Sequence, residues 1–332
     1  MNTKQLSYIL TIAEQGNLSA AAKLLGISQP ALSKYLNSLE DELGTDLFLR
    51  HNKRLYLTSA GKIYAEAASR IIAVKEQTYQ MISALSEDYQ KTITVGVTPL
   101  RGAVAMARIF NQFRRRYPHV NLQFKEHYQA QLRQAVLNHS VNLALGTCID
   151  LEDPEVTYYS AHEEDLILFV PSFHPLAALA SPDLEHLTSI DIKKFQDTPF
   201  LIGEKGSTIR QLADIIFQQN HMEPTIVYKT DNNLILKNMA QNGAGATLLA
   251  EAHMEPSKNL VYFRLKPNYS MHLSVMVPKN QPLSEEERYL IALNFVAENK
   301  HSRYRLNPNP EAQALLDEFQ IPESLFTSFM TN

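Results

Sequence analysis

The 332-residue sequence contains one cysteine, Cys148, so no disulfide within the chain can brace the fold. Disulfide frameworks belong to oxidising compartments, and the lack of one fits a cytoplasmic location. Excess positive charge is also missing: 31 lysines and arginines are outweighed by 35 aspartates and glutamates, a net −4. Indiscriminate attraction to nucleic acid is thereby excluded, and any such binding must come from a local basic patch. No apolar run approaches the roughly 20 residues that a bilayer span needs. The polar start MNTKQ lacks the charged, apolar and small-residue layout of a secretion signal. No membrane partner is expected.

Signatures of catalysis are equally scarce. Among eleven histidines no pair has metal-binding spacing within an acidic helix. His162-Glu163-Glu164-Asp165 leads into a strand and reads as a surface cluster. Cys148 has no histidine close in sequence to activate it. Gly243-Ala244-Gly245 lacks the third glycine and the downstream acid of a dinucleotide site, and no phosphate-binding glycine loop occurs. The sequence therefore reads as a non-enzyme, with no catalytic residue, no metal and no cofactor.

What is present is size and order. At 332 residues the chain exceeds the roughly 250–300 at which a single core stops growing, so more than one domain is expected. The first is organised around LSAAAKLLGISQPALSKYLNSL. Ala21, Ala22, Leu24 and Leu25 make a small apolar face before the turn Gly26-Ile27-Ser28; Ala31, Leu32, Tyr35, Leu36 and Leu39 follow it at helical spacing. Gly26 can take the left-handed conformation that ends a helix. Ser28 suits an N-cap, and Pro30 is tolerated in a first turn. A helix over 2–14 completes the small core with Leu6, Ile9, Leu10 and Ala13.

Two helices across a short glycine turn form the arrangement that lays the second in the major groove of DNA. Its outward residues Gln29, Ser33, Lys34 and Asn37 suit base edges and phosphates, although an ordinary helical hairpin would leave them merely solvated. Short apolar strands at 47–49 and 55–57 flank the tip His51-Asn52-Lys53-Arg54. Every charge from Arg50 to Lys62 is basic, namely Arg50, Lys53, Arg54 and Lys62, which is the composition of a wing that grips the DNA backbone.

Thr58 is placed to cap a long helix running to about residue 86. Along it Tyr64, Ala67, Ile71, Val74, Thr78, Met81 and Leu85 step by three and four, the narrow seam of a coiled coil. The same stripe could pack on the protein's own domain. Pairing has a purpose, because a two-fold pair reads a two-part site.

From Lys91 strands alternate with helices, as in a parallel α/β sheet. Strands are expected at 93–97, 120–125, 143–146, 165–171, 199–202, 225–228, 246–249, 261–265 and 272–277, with a last helix at 285–299. Ligands of such sheets sit beyond the carboxyl ends of the strands, near helix N-termini. Three loops qualify there, and they supply Thr98, Pro99, Leu100 and Arg101, then Thr147 and Cys148, then Gly203, Lys205 and Ser207 as candidate effector contacts. Arg101, Lys205 and the helix N-termini favour an anion, which points to a carboxylate-bearing small molecule. Capping alone would also account for Ser and Thr at these positions.

The run AAAKLLGISQPALSKYLNSLEDELGTDLFLR, with Arg54 and LTSAG beyond it, resembles the N-terminal signature of LysR-type transcriptional regulators. PHVNLQFKEHYQAQLRQAVLNHSVNLALG, EDLILFVPSFHPLA and NMAQNGAGATLLA are similar to that family's effector domain. The resemblance implies an N-terminal all-α winged helix-turn-helix (1–58) and a long linker helix (59–88). A C-terminal α/β two-lobe effector domain, periplasmic-binding-protein-like, would follow at 89–302, with lobe I at 91–162 and 268–302 and lobe II at 163–267. It implies DNA contacts from Gln29, Pro30, Ser33, Lys34 and Arg54. Ser28, Asn37, Arg50 and Lys53 join them by position. The partners implied are a double-stranded DNA operator, a small-molecule effector, RNA polymerase and copies of the chain itself, dimerised through the linker helix and assembled as a tetramer. A DNA-binding protein with constitutive activity and a solute-binding protein with a helical N-terminus remain open beside this reading.

Two departures stand out. Asn142 occupies a position where the family usually has Asp, and the chain continues over 303–332 beyond the family's usual end. Residues 303–310 are punctuated by proline, so no helix is expected there. Ala312, Leu315, Leu316 and Phe319 then make one helical face, and Leu325, Phe326, Phe329 and Met330 a second stripe after Pro322. So many large apolar residues are unlike a disordered tail, and docking on the effector domain or on a neighbouring subunit is expected.

Overall fold

The structure, a computed structural model, describes residues 3–51, 54–83, 91–99, 101–299 and 305–329, apart from the side chains of 4, 73, 76, 77, 80, 81, 83 and 327–329. The contacts expected of Lys53, Met81, Leu85, Leu100 and Met330 lie outside the described residues. The chain divides into two compact units, Met1–Thr92 with Leu137–Val141, and Ile93–Val136 with Asn142–Asn332. Among the described residues no helix is long and apolar enough to cross a membrane.

In the first unit α1 (Thr3–Gln15), α2 (Leu18–Leu25) and α3 (Gln29–Leu43) precede a hairpin of β1 (Phe48–His51) and β2 (Arg54–Leu57), and α4 (Ser59–Ser83) follows. Ile9, Ile12, Ala21, Ala22, Leu32, Leu36 and Leu39 form one buried core with Leu47, Phe48 and Leu55 of the hairpin. Asn17 caps α2 by accepting from the Ser19 and Ala20 amides. Gly26 ends it at φ 65°, a conformation that would strain any side chain. A Cβ on Gly61 would fall 2.0 Å from the Leu47 carbonyl oxygen, so the start of α4 lies flat against the hairpin only because that residue is glycine. The Thr58 hydroxyl secures the junction, accepting from the Gly61 amide at 2.9 Å and donating to the Asp46 carbonyl at 2.7 Å.

The second unit has two lobes. Lobe I contains β3 (Thr92–Val97), α5 (Arg101–Arg116), β4 (Asn121–Glu126), α6 (Gln129–Leu137) and β5 (Leu143–Cys148). β6 (Val156–Pro171) then crosses to lobe II, which adds β7 (Ser189–Ile190), β8 (Phe200–Ile202), α7 (Thr208–Gln219), β9 (Ile226–Lys229), α8 (Asn233–Gln241), β10 (Ala246–Ala250) and β11 (Leu260–Leu265). β12 (Ser270–Pro278) returns to lobe I, followed by α9 (Glu285–Glu298), β13 (Arg305–Leu306) and α10 (Pro310–Phe319). The strand order is β4-β3-β5-β12-β6 in lobe I and β6-β10-β8-β9 in lobe II, so β6 serves both sheets.

β6 is much longer than the expected strand at 165–171. Residues 156–165 pair with β12, and 166–171 with β10 and β11. Its middle is not the surface cluster expected of His162-Glu163-Glu164-Asp165: His162, Glu164 and Asp165 are buried. Their partners are arginines remote in sequence. Arg101 pairs with Glu164, and Arg264 and Arg305 with Asp165.

The extension is not a separate domain. Ala312, Leu315 and Phe326 are buried in the core of lobe I, and Phe319 meets Tyr289 edge-on at 5.3 Å. Arg288 of α9 holds Glu318 at 3.0 Å. Asn309 caps α10 through the Ala312 amide while its own amide donates to the Tyr158 carbonyl of β6 at 2.8 Å. The expected linker includes a strand, since Arg305 and Leu306 pair with Glu163 and His162. The second apolar stripe lies on a 3-10 helix at Glu323–Phe329.

Candidate nucleic-acid interface and effector cleft

α3 buries Leu32, Leu36 and Leu39 and turns Gln29, Pro30, Lys34 and Asn37 outward, with Ser33 half-buried beside them. The Ser28 hydroxyl accepts from the Ala31 amide at 3.4 Å to cap the helix, and the residue stays exposed at its start. Arg50 and Arg54 are exposed on the hairpin, in the described part of the wing. Glu40 had not been singled out. Its carboxylate accepts from the Leu47 and Phe48 amides at 2.7 and 3.1 Å, fixing the wing to the recognition helix. An acid late in an amphipathic helix looks like an ordinary solvated residue, which is why the sequence conceals this role.

The linker seam is displaced at its first position. Tyr64 packs in the helix-turn-helix core beside Tyr35, whose phenol burial pushes up to about 12. Ala68 is buried as well, whereas Ile63, Ile71, Val74 and Ile82 are exposed and Ala67 and Thr78 lie on solvent-facing turns. Each of these exposed residues is three or four positions from the next, so the open stripe begins at Ile63 rather than Tyr64.

In the second unit a cavity of about 240 Å³ lies between the lobes. Thr98, Pro99 and Arg101 border it from lobe I, and Ser207, Thr208, Asn232 and Asn233 from lobe II. Helices α5, α6, α7 and α8 all begin at its edge, so four positive helix ends lie there. Thr147 and Thr208 latch the lobes: their hydroxyls are 2.9 Å apart, and Thr208 donates to the Thr147 carbonyl at 2.9 Å. Among the described residues none engages the Thr98 hydroxyl.

Several expected contacts are corrected. Cys148 does not border the cavity; its thiol faces Ser274 at 3.5 Å, and burial pushes it up to about 11. Gly203 uses its carbonyl to accept from Arg210 at 3.0 Å, and Lys205 is exposed to solvent, so neither lines the site. Ser207 does line it, with its oxygen already accepting from the Arg210 amide at 3.2 Å. Arg101 lines it too, but pairs with the wholly buried Glu164.

The cavity also has residues that sequence reasoning missed. Glu298 lies 3.6 Å from Arg108, and burial raises its carboxyl above the usual range. Asn294, one turn earlier on α9, is buried with its Oδ1 unpartnered among the described residues. His253 is held uncharged, pushed down to about 3 by burial and by Arg101 and Lys237. These side chains come from the interior of α9 and the segment after β10, where sequence shows only core-like surroundings.

Residues 3–62 match the family model described as "Bacterial regulatory helix-turn-helix protein, lysR family". Residues 86–293 match the model described as "LysR substrate binding domain". The chain belongs to the LysR family of transcriptional regulators, which are not enzymes. A probable RuBisCO transcriptional regulator of Porphyra purpurea is 30% identical over 251 residues, covering 74% of this chain and 77% of that protein. One of Synechocystis sp. is 28% identical over 286 residues, covering 83% and 81%. A full-length OxyR variant from Pseudomonas aeruginosa superposes with a TM-score of 0.54 at 21% identity, covering 93% of this chain and 98% of that one. That likeness shows the shared fold. The family model over the helix-turn-helix removes the solute-binding alternative.

Proposed function

We propose that this regulator reads a double-stranded operator with α3 and its wing, and that a small molecule seated between the lobes alters that binding. Gln29, Ser33, Lys34 and Asn37 face base edges, with Pro30 and Ser28 against the backbone at the helix start. Arg50 and Arg54 take phosphates. The observation that carries the reading is the division of α3 itself: its apolar residues are consumed by the core and its polar face is left open. The open stripe on α4 supports pairing of two chains, and a tetramer made of two such pairs and contact with RNA polymerase complete the assembly proposed from the family role. DNA as partner supports a cytoplasmic site of action.

A cavity between the lobes, with polar groups set in a mainly apolar lining, favours effector control over constitutive binding. A carboxylate-bearing effector remains the reading, supported by the N-termini of α5, α6, α7 and α8 rather than by Arg101, whose charge Glu164 already matches. A thermal-shift screen of the full chain against small carboxylates, amino acids and aromatic acids tests it. A true effector raises the melting temperature, changes affinity for selected DNA, and binds Thr98→Val more weakly by about 0.5–1.5 kcal/mol. A compound that binds Thr98→Val unchanged places the effector away from Thr98.

A further inference from the structure

We propose that the C-terminal extension is a strap across the hinge between the lobes and that it acts through Arg305. Two segments join the lobes: the middle of β6, and residues 266–269 between β11 and β12. Asp165 lies where they meet and has no exposed surface. Its carboxylate accepts from Asn268 of the second segment at 2.9 Å and pairs with Arg264 of β11, in lobe II. Arg305, from the extension, pairs with the same carboxylate and with Glu163 at 3.3 Å. Asn307 donates to Glu163 at 2.6 Å, and β13 adds backbone pairing to His162 and Glu163.

The extension is rooted in lobe I through α10, so Arg305 carries a lobe I anchor onto a carboxylate shared with a lobe II arginine. The two guanidinium groups take opposite oxygens of it, and Arg264 is held below its usual range by burial and by Arg305. A second line reaches the cleft. His162 borders the cavity and meets Asn299 at 2.6 Å, and the Asn299 amide donates to Glu323 of the extension at 3.3 Å. Rotation of one lobe against the other must turn the backbone at 163–166, where strap, both joining segments and β11 converge. The strap therefore restricts that rotation. The family model ends at residue 293, so this device lies beyond what the match describes. It stands without any identified effector.

The test uses the full chain carrying Cys148→Ser, with spin labels at Gln123→Cys on lobe I and Glu223→Cys on lobe II. Arg305→Ala is expected to widen the interlobe distance distribution at least twofold. It should also speed amide exchange of Leu166, which donates to the Tyr269 carbonyl at 2.8 Å, about tenfold. Arg305→Lys should restore part of both. Arg288→Ala, which loosens α10 away from the hinge, should lower the melting temperature and leave the distribution narrow. If Arg305→Ala does not fold, Glu163→Gln replaces it, since that variant keeps the Arg264–Asp165 pair. Superimposable distributions for parent and hinge variant would overturn the proposal, as would equal widening by Arg288→Ala.

Discussion

Asn142 shows how much one atom type can decide. Its Oδ1 accepts from the Thr94 amide at 2.9 Å, and its amide donates to Glu287 at 3.1 Å. Glu287 is buried and also completes the capping box of α9 with Ser284. A carboxylate at 142 would keep the first bond and set two acids against each other in the second. Asn142→Asp is therefore expected to cost about 1–3 kcal/mol by chemical denaturation at neutral pH, with recovery as the medium is acidified. His253 gives the opposite pH dependence. Its folded pKa lies below its unfolded value, so the unfolded chain binds the extra proton and stability is lost as pH falls from 6.5 toward about 3. Between pH 7 and 5 this amounts to on the order of 2 kcal/mol, and His253→Gln should remove that component from the pH profile of unfolding.

At the scale of elements, α3 and α4 illustrate what periodicity reveals. Helical spacing identified the buried face of α3 and left its polar face open. The α4 seam was legible in period but not in phase at its start, because Tyr64 is claimed by Tyr35 and the local core, which no spacing rule records. Val74 is exposed on the stripe. Val74→Asp should shift the sedimenting species toward monomer, whereas Glu66→Gln, off the stripe, should not. β6 was only half legible. Its lobe II half is a continuous apolar run, but its lobe I half carries Glu164 and Asp165, buried only because Arg101, Arg264 and Arg305 arrive from distant positions. The cleft was legible at its rim, through capping residues and strand ends, and not at its α9 wall. Docking of α10 followed from its apolar face. Leu315→Ala should cost about 2–5 kcal/mol of effector-domain stability, read by urea unfolding.

For the molecule as a whole, a net charge of −4 must coexist with DNA binding. The reconciliation is local: the attraction comes from a few basic groups of the wing and recognition helix, and its salt dependence counts them. Binding should therefore show a modest salt slope and a sequence preference that fail separately. The direct measurement is to select duplexes from a randomised pool with the full chain, then titrate the selected DNA at several salt concentrations with parent, Gln29→Ala and Arg54→Ala. Gln29→Ala should lose roughly 1–3 kcal/mol on the selected sequence, relax its preference and keep the salt slope. Arg54→Ala should weaken all sequences alike and reduce the slope by about one ion. If both variants bound the selected duplex as the parent does, the polar face of α3 and its wing would not be the DNA-reading surface.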